Sequence, residues 1–209
     1  MATTRWKSTL YPSEKFVEAC GAVVFNATEP EQVLLLYYAA LDEWILPKGR
    51  RNCNESRKDA VIREVLEESG CAIRLRPVTM ETRAPSDFEA ADVKDVPRTY
   101  DSLTEAFMLD VRDLGKGNGV KLVWWFIAEL DSIVGEGEAQ FEPRFFRGDK
   151  AVEILTFQKD RDVLMKALEL VERAANNTTK SEEHNVKSME RGPDGSRVSQ
   201  FDTTPESAD

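Results

Sequence analysis

GRRNCNESRKDAVIREVLEESG, residues 49–70, gathers four glutamates, Glu55, Glu64, Glu67 and Glu68, into one short stretch. Like charges this close repel, so their clustering needs a reason. From Glu55 to Ser69 the apolar pattern is helical. Ile62, Val65, Leu66 and Ser69 recur at i, i+3, i+4 and i+7, with Ala60 and Val61 beside them. Gly70 stands where helices often end in a left-handed residue. At about 100° per residue, Glu64, Glu67 and Glu68 share an arc about 100° wide, and the apolar set lies about 150° away. The helix is therefore expected to pack one face and present carboxylates from the other.

A plain solvated acidic face is the alternative. Two features weigh against it. Glu64 and Glu68 repel at i, i+4, which costs about 0.2–0.5 kcal/mol. Glu67 and Glu68 also sit near the helix C-terminus, where the macrodipole disfavours anions. Arg63 pairs with Glu67 only in the less favoured orientation. A divalent cation would offset more, and carboxylates suit Mg2+ or Mn2+ with positions left for water and phosphate.

The spacing narrows the reading. Gly49, five residues, Glu55, seven residues, then Arg63-Glu64-Val65, Glu67-Glu68, Gly70 and Cys71 resembles the signature of the Nudix hydrolases, G-x5-E-x7-R-E-U-x-E-E-x-G-U, where U is a bulky aliphatic residue. All seven fixed positions match; Cys71 at the last U is a small departure, acting as a compact apolar residue. Seven such positions arise by chance in a chain this long below about once in ten thousand.

The resemblance implies an α/β (α+β) fold, a mixed β-sheet sandwiched between helices with a loop–helix–loop metal site. It implies metal-dependent hydrolysis of a diphosphate linkage in a small phosphoanhydride substrate. Glu64, Glu67 and Glu68 would be the Mg2+ or Mn2+ ligands, with the Gly49 carbonyl. Arg63 and Glu55 would brace the helix against its loop. The general base would be Glu67, Glu64 or a glutamate of a later loop, for which Glu138 and Glu142 stand; these two read otherwise as solvated loop acids. Lys48, Arg50 and Arg51 suit phosphate oxygens, whereas Arg57 and Lys58 are expected to face solvent. "WILPKGR" (44–50) and the distal "RFF…AVEILTFQKDRDVL" resemble the diadenosine tetraphosphate and diphosphoinositol polyphosphate hydrolase branches, and the length of the 85–118 segment resembles fungal-type relatives. Phe88, Tyr100 or Phe107 in that segment could stack on a base or simply pack. A nucleotide-binding module, or an enzyme for ADP-ribose or capped RNA, are the other readings.

Outward from the box, residues 16–26 and 31–39 read as strands of a hairpin around the turn ATEPE. Residues 71–84 alternate as a strand, 85–102 read as loop, 103–114 as strand or helix, and 120–130 as a strand buried on both faces. "RFFRG" reads as a short closing strand, and 149–175 as helix, divided near Thr156. Residues 1–15 read as a loose leader. The domain is placed at 16–175, and the polar stretch 176–209 is expected to be disordered.

The whole chain agrees with this picture. Its 209 residues suit one domain with tails, and a net charge of −10 disfavours duplex nucleic acid and acidic membranes. Three cysteines make no disulfide framework, no secretory or membrane-spanning stretch is seen, and an intracellular setting, cytoplasmic or nuclear, is expected. The single histidine, His184, lies in the tail, which excludes His-based triads and His-rich metal sites.

Overall fold

A computed structural model of the chain describes residues 7–90 and 92–189, with side chains to residue 175. Ten strands and three α-helices follow a 3-10 turn at Ser13–Lys15: β1 (Phe16–Phe25), β2 (Gln32–Tyr38), β3 (Glu43–Ile45), β4 (Lys48–Arg50), α1 (Arg57–Ser69), β5 (Cys71–Leu75), β6 (Val78–Thr82), β7 (Arg98–Leu103), β8 (Met108–Asp113), β9 (Val120–Ile133), β10 (Phe141–Arg147), α2 (Gly148–Ile154) and α3 (Gln158–Met189). Eight strands form a mixed sheet along the path β10-β2-β1-β9-β5, with β3, β4 and β8 paired to β2, β1 and β9. Strands β1 and β9 run parallel over ten residues, while the other pairs are antiparallel. β6 and β7 form a separate two-stranded ribbon.

Alternation along β1 sorts the core into two layers. Cys20, Ala22 and Val24 pack with Ala60, Val61 and Val65 of α1. Ala19, Val23 and Phe25 pack with Ala151 and Leu155 around α2, and with Val163, Leu164 and Ala167 of α3. The sheet is thus sandwiched between helices. β9 is buried on both faces through Trp125, Phe126, Ile127 and Ala128.

The helix carrying the glutamates is rotated from the expected orientation. Its buried residues are Ala60, Val61, Val65, Glu68 and Ser69, whereas Ile62 and Leu66 are partly exposed, at 36% and 39%. Glu68 turns inward because the main-chain amide of Lys48 offers it a donor there. Burying Val61 and Val65 stabilises the contact by about 1.5–3 kcal/mol each.

Other elements also differ in detail. The 71–84 run breaks into β5 and β6 around Pro77, since proline removes a ladder donor. The segment read as loop contains β7, whose partner β6 it could not reveal by pattern alone. Residues 103–114 resolve as the strand β8, and the helical stretch divides at Leu155–Phe157. One compact unit reaches Ala174. Of the stretch expected to be disordered, residues up to Met189 are helical; residues 190–209, like 1–6 of the leader, lie outside the described residues.

Candidate active site

Ser56 caps α1 by accepting from the Asp59 amide, and this sets where the box helix begins. At the other end Gly70 adopts φ 70°, and its N–H donates to Leu66 O at 2.8 Å. A side chain there would also collide with the Gly135 carbonyl. Gly49 is needed for a different reason. The Glu64 carboxylate lies directly against it, in the space any Cβ would take. The β4 main chain and Glu64 are thereby brought into contact.

Arg63 is the hub of the box. Its Nε donates to Glu55 Oε1 at 2.7 Å and its Nη2 to Glu55 Oε2 at 2.9 Å. Its Nη1 donates to Glu64 Oε1 and to Glu67 Oε2, both at 2.7 Å. Nη2 also reaches the Arg50 carbonyl at 3.0 Å. Glu55 takes a further bond from the Asn52 amide at 2.8 Å. Hydrogen bonding from Arg63 outweighs partial burial and holds the Glu55 carboxyl down at about 2; the same bonds raise the guanidinium further.

Glu64, Glu67 and Glu68 occupy different surroundings. Glu67 is half-exposed. Glu64 is mostly buried, which pushes its carboxyl up against the pull of Arg63. Glu68 is 8% exposed and accepts from the Lys48 amide at 2.8 Å. Burial raises it to about 7, the Lys48 contacts opposing and the charges of Glu64 and Glu138 adding to the rise.

These carboxylates and the Gly49 carbonyl are hard oxygen donors of the kind Mg2+ and Mn2+ take. Two of the carboxylates are desolvated beside like charges, which a cation would relieve. The donor set therefore fits. Among the described residues no three acidic, His or Cys side chains converge as a formed cage, because Arg63 draws Glu64 and Glu67 while the Lys48 amide holds Glu68.

Of the two distal acids, Glu138 is tied to α1 through its main chain and Glu142 is engaged on β10. Glu138 donates its amide to Glu67 O at 2.8 Å, and its carboxylate takes a bond from Gln140. Glu142 is paired with Arg144 on β10 at 2.9 Å. Between the end of α1 and β10 lies a cavity of about 420 Å³, lined by Cys71, Ile133, Glu138, Phe141, Glu142 and Phe145 among others.

The cations divide in the same way. Arg51, grouped by sequence with the phosphate contacts, is engaged by Glu18, by Asn52 O and by Glu55 O. Arg57, expected to face solvent, pairs with Glu18 at 2.6 Å and lies 3.9 Å over the Trp124 ring. Lys58 pairs with Glu105 at the surface. Lys48 and Arg50 point to the sheet face opposite α1. Strand register places Arg50, Ala19, Val123 and Asp110 in one row, and Lys48, Gly21, Trp125 and Met108 in the next. Lys121 and Arg112 pair on the same face.

Asp160 of α3 closes this face, 1% exposed. Its two carboxylate oxygens, Arg112 Nη2 and Trp125 Nε1 are buried without a hydrogen-bond partner. Burial pushes Lys48 and Lys121 down; for Lys121 the surrounding cations add to this, and for Lys48 the charges of Glu68 and Asp160 oppose it. Burial pushes Asp160 up against the attraction of Lys48. Arg112 and Lys121 escape sequence reading because only strand register brings them beside Lys48, and Asp160 because only the packing of α3 on the sheet does. Of the aromatics in the 85–118 segment, Phe88 is fully exposed, Tyr100 bonds Glu89, and Phe107 packs on the core.

Comparison with known proteins agrees with this geometry. The family model described as NUDIX domain matches residues 15–111. A Bacillus subtilis (strain 168) protein provisionally named 8-oxo-dGTP diphosphatase is 42% identical over 50 residues, 24% of this chain and 34% of its own length. The chain thus spans about a third of that curated relative. Among solved structures, a NUDIX-family hydrolase from Clostridium perfringens superposes with TM-score 0.51 at 16% identity, covering 77% of this chain and 98% of that one. A MutT protein from Methanosarcina mazei Go1 gives TM-score 0.50 at 17% identity, covering 76% and 97%. The fold is the Nudix fold, and the family match runs from β1 through α1 into β8.

Proposed function

We propose that the protein is a divalent-metal-dependent hydrolase that cleaves a phosphoanhydride bond in a small polyphosphorylated substrate. The observation carrying this reading is the Arg63-centred box, in which Glu64 is seated against Gly49 and Glu68 is buried beside it. Glu64, Glu67, Glu68 and the Gly49 carbonyl would hold Mg2+ or Mn2+, which when bound neutralises phosphate charge and acidifies a coordinated water. Glu55 and Arg63 fix the ligand carboxylates. Glu138, whose amide is tied to the Glu67 carbonyl, is proposed along with Glu64 and Glu67 as a residue able to take the proton from the attacking water.

Lys48 and Arg50 are the proposed phosphate contacts, extended by Arg112 and Lys121 on the same sheet face. Four cations on this face, set against Asp110 and Asp160, favour a substrate with more than two phosphates, such as a diadenosine polyphosphate or a diphosphoinositol polyphosphate. Resemblance of a 50-residue stretch to the Bacillus protein supports a second reading, an oxidised purine nucleoside triphosphate. Incubating the protein with Mg2+ or Mn2+ and a panel of these compounds, ADP-ribose and capped RNA would decide between them. Absence of metal-dependent turnover across the panel would overturn the hydrolase reading, and tight nucleotide binding without turnover would favour a binding module.

A further inference from the structure

Glu18 lies on β1, outside the residues of the box motif, and its side chain is 11% exposed. Five donors converge on it. Arg51 Nε and Nη2 approach Oε2 at 3.0 and 2.9 Å. Arg57 Nε and Nη2 approach Oε1 at 2.9 and 2.6 Å, and Trp124 Nε1 approaches the same oxygen at 2.9 Å. The Arg51 amide also donates to the Glu18 carbonyl at 3.0 Å. Segment 51–57 is thereby fastened to the sheet at both ends by a single carboxylate.

Glu55 sits within that segment. Arg51 Nη1 donates to its carbonyl at 2.8 Å, and its carboxylate is the bidentate partner of Arg63. Arg63 in turn shares one nitrogen between Glu64 and Glu67. The order of contacts runs from Glu18 through Arg51 and Glu55 to Arg63, and ends on two of the glutamates proposed to hold metal.

We infer that Glu18 is a positioning residue for divalent-cation binding, an inference that rests on the metal-dependent reading of the box. Its charge keeps Arg51 and Arg57 neutralised away from Glu55. Without that charge, Arg51 is free to compete with Arg63 for the Glu55 carboxylate. Arg63 then has only Glu64 and Glu67 to balance it, and holds them against a cation.

The test is a Mn2+ titration of the full chain, with free Mn2+ followed by its electron paramagnetic resonance signal. Glu18→Gln keeps the shape and removes the charge; its dissociation constant is expected to rise roughly tenfold, at the low end of what outer-shell partners of a metal site contribute. Adding Arg51→Met removes the liberated competitor, so the double variant is expected to recover part of the affinity. A merely structural role for Glu18 would instead make the double variant bind as weakly as Glu18→Gln or worse. That result, or wild-type affinity in Glu18→Gln, would overturn the inference. If Glu18→Gln does not fold, Glu18→Asp, whose shorter stem loosens its hold on the two arginines, takes its place; it is expected to bind Mn2+ more weakly than wild type and to recover on adding Arg51→Met, and a loss that Arg51→Met does not restore overturns the inference. Mn2+ binding by the wild type with the expected loss in Glu18→Gln, but no turnover on the substrate panel, would end the hydrolase reading and leave this one standing. No Mn2+ binding by the wild type would end both.

Discussion

On the α1 face of the sheet, Arg63 reaches Glu55, Glu64, Glu67 and the Arg50 carbonyl, and Glu18 is met by five donors. On the opposite face, Asp160, Arg112 Nη2 and Trp125 Nε1 are buried without partners beside Lys48 and Lys121. Leaving a buried polar group unmet costs about 1–3 kcal/mol. Bonds are completed on the first face and only in part on the second, where Arg112 Nε donates to Asp110 Oδ2 at 2.6 Å while its Nη2 finds no partner. The first face holds side chains in place, and the second is suited to receive an incoming anion. β4 joins the two, because the Lys48 amide holds Glu68 while its side chain turns to the other face.

The harshest way to break the first face is Gly49→Ala. The new methyl would take the space of the Glu64 carboxylate, forcing it out from under β4. Mn2+ affinity is expected to fall by about a hundredfold or more, and metal-dependent turnover with it. Near-normal Mn2+ titration in this variant would show that Glu64 does not bind metal from its present position.

A gentler change tests the second face. Lys121→Gln or Arg112→Gln removes a cation that makes no bond to the box. KM is expected to rise roughly tenfold, the effect of losing one charged hydrogen bond of about 1.5 kcal/mol. Mn2+ affinity should stay within about twofold of wild type, since these side chains lie across the sheet from the ligands. An unchanged KM with the turning-over substrate would mean the opposite face does not meet phosphate.

Much of the first face could be read in the sequence, because its parts lie within 22 residues and its spacing is helical. The left-handed cap at Gly70 follows from that spacing, as does the contact of Arg63 with Glu67, whereas the pairing of Arg63 with Glu55 is what the family resemblance implies. The rotation of α1 did not, since a helical wheel weighs apolar residues and could not weigh the amide that draws Glu68 inward. Glu18 was invisible for a similar reason. A lone glutamate in an apolar strand carries no pattern, and its partners come from residues 33 to 106 positions away. The second face depends on register among β4, β1, β9 and β8, and on the packing of α3 against them. Lys48 and Arg50 could be named from sequence because they flank the box, whereas Arg112, Lys121 and Asp160 could not.

The smallest expected effect concerns how the braced face responds to acid. Glu55 is held at about 2 by Arg63 and the Asn52 amide, below its ordinary value of 4.5. A carboxyl whose folded value lies below its unfolded one contributes its stability in full above the unfolded value. The contribution fades as pH falls from about 4.5 toward 2. Arg63 stays protonated throughout, so it adds no opposing titration. Urea unfolding of metal-free wild type and Glu55→Gln should therefore differ most near neutral pH, with Glu55→Gln the less stable. The gap should narrow steadily below pH about 4.5. A gap of constant size from neutral pH to pH about 3 would mean that Glu55 acts through shape and not through charge. The completed ion pairs of the α1 face would then be packing devices, and its contrast with the open, cationic face would lose its electrostatic basis.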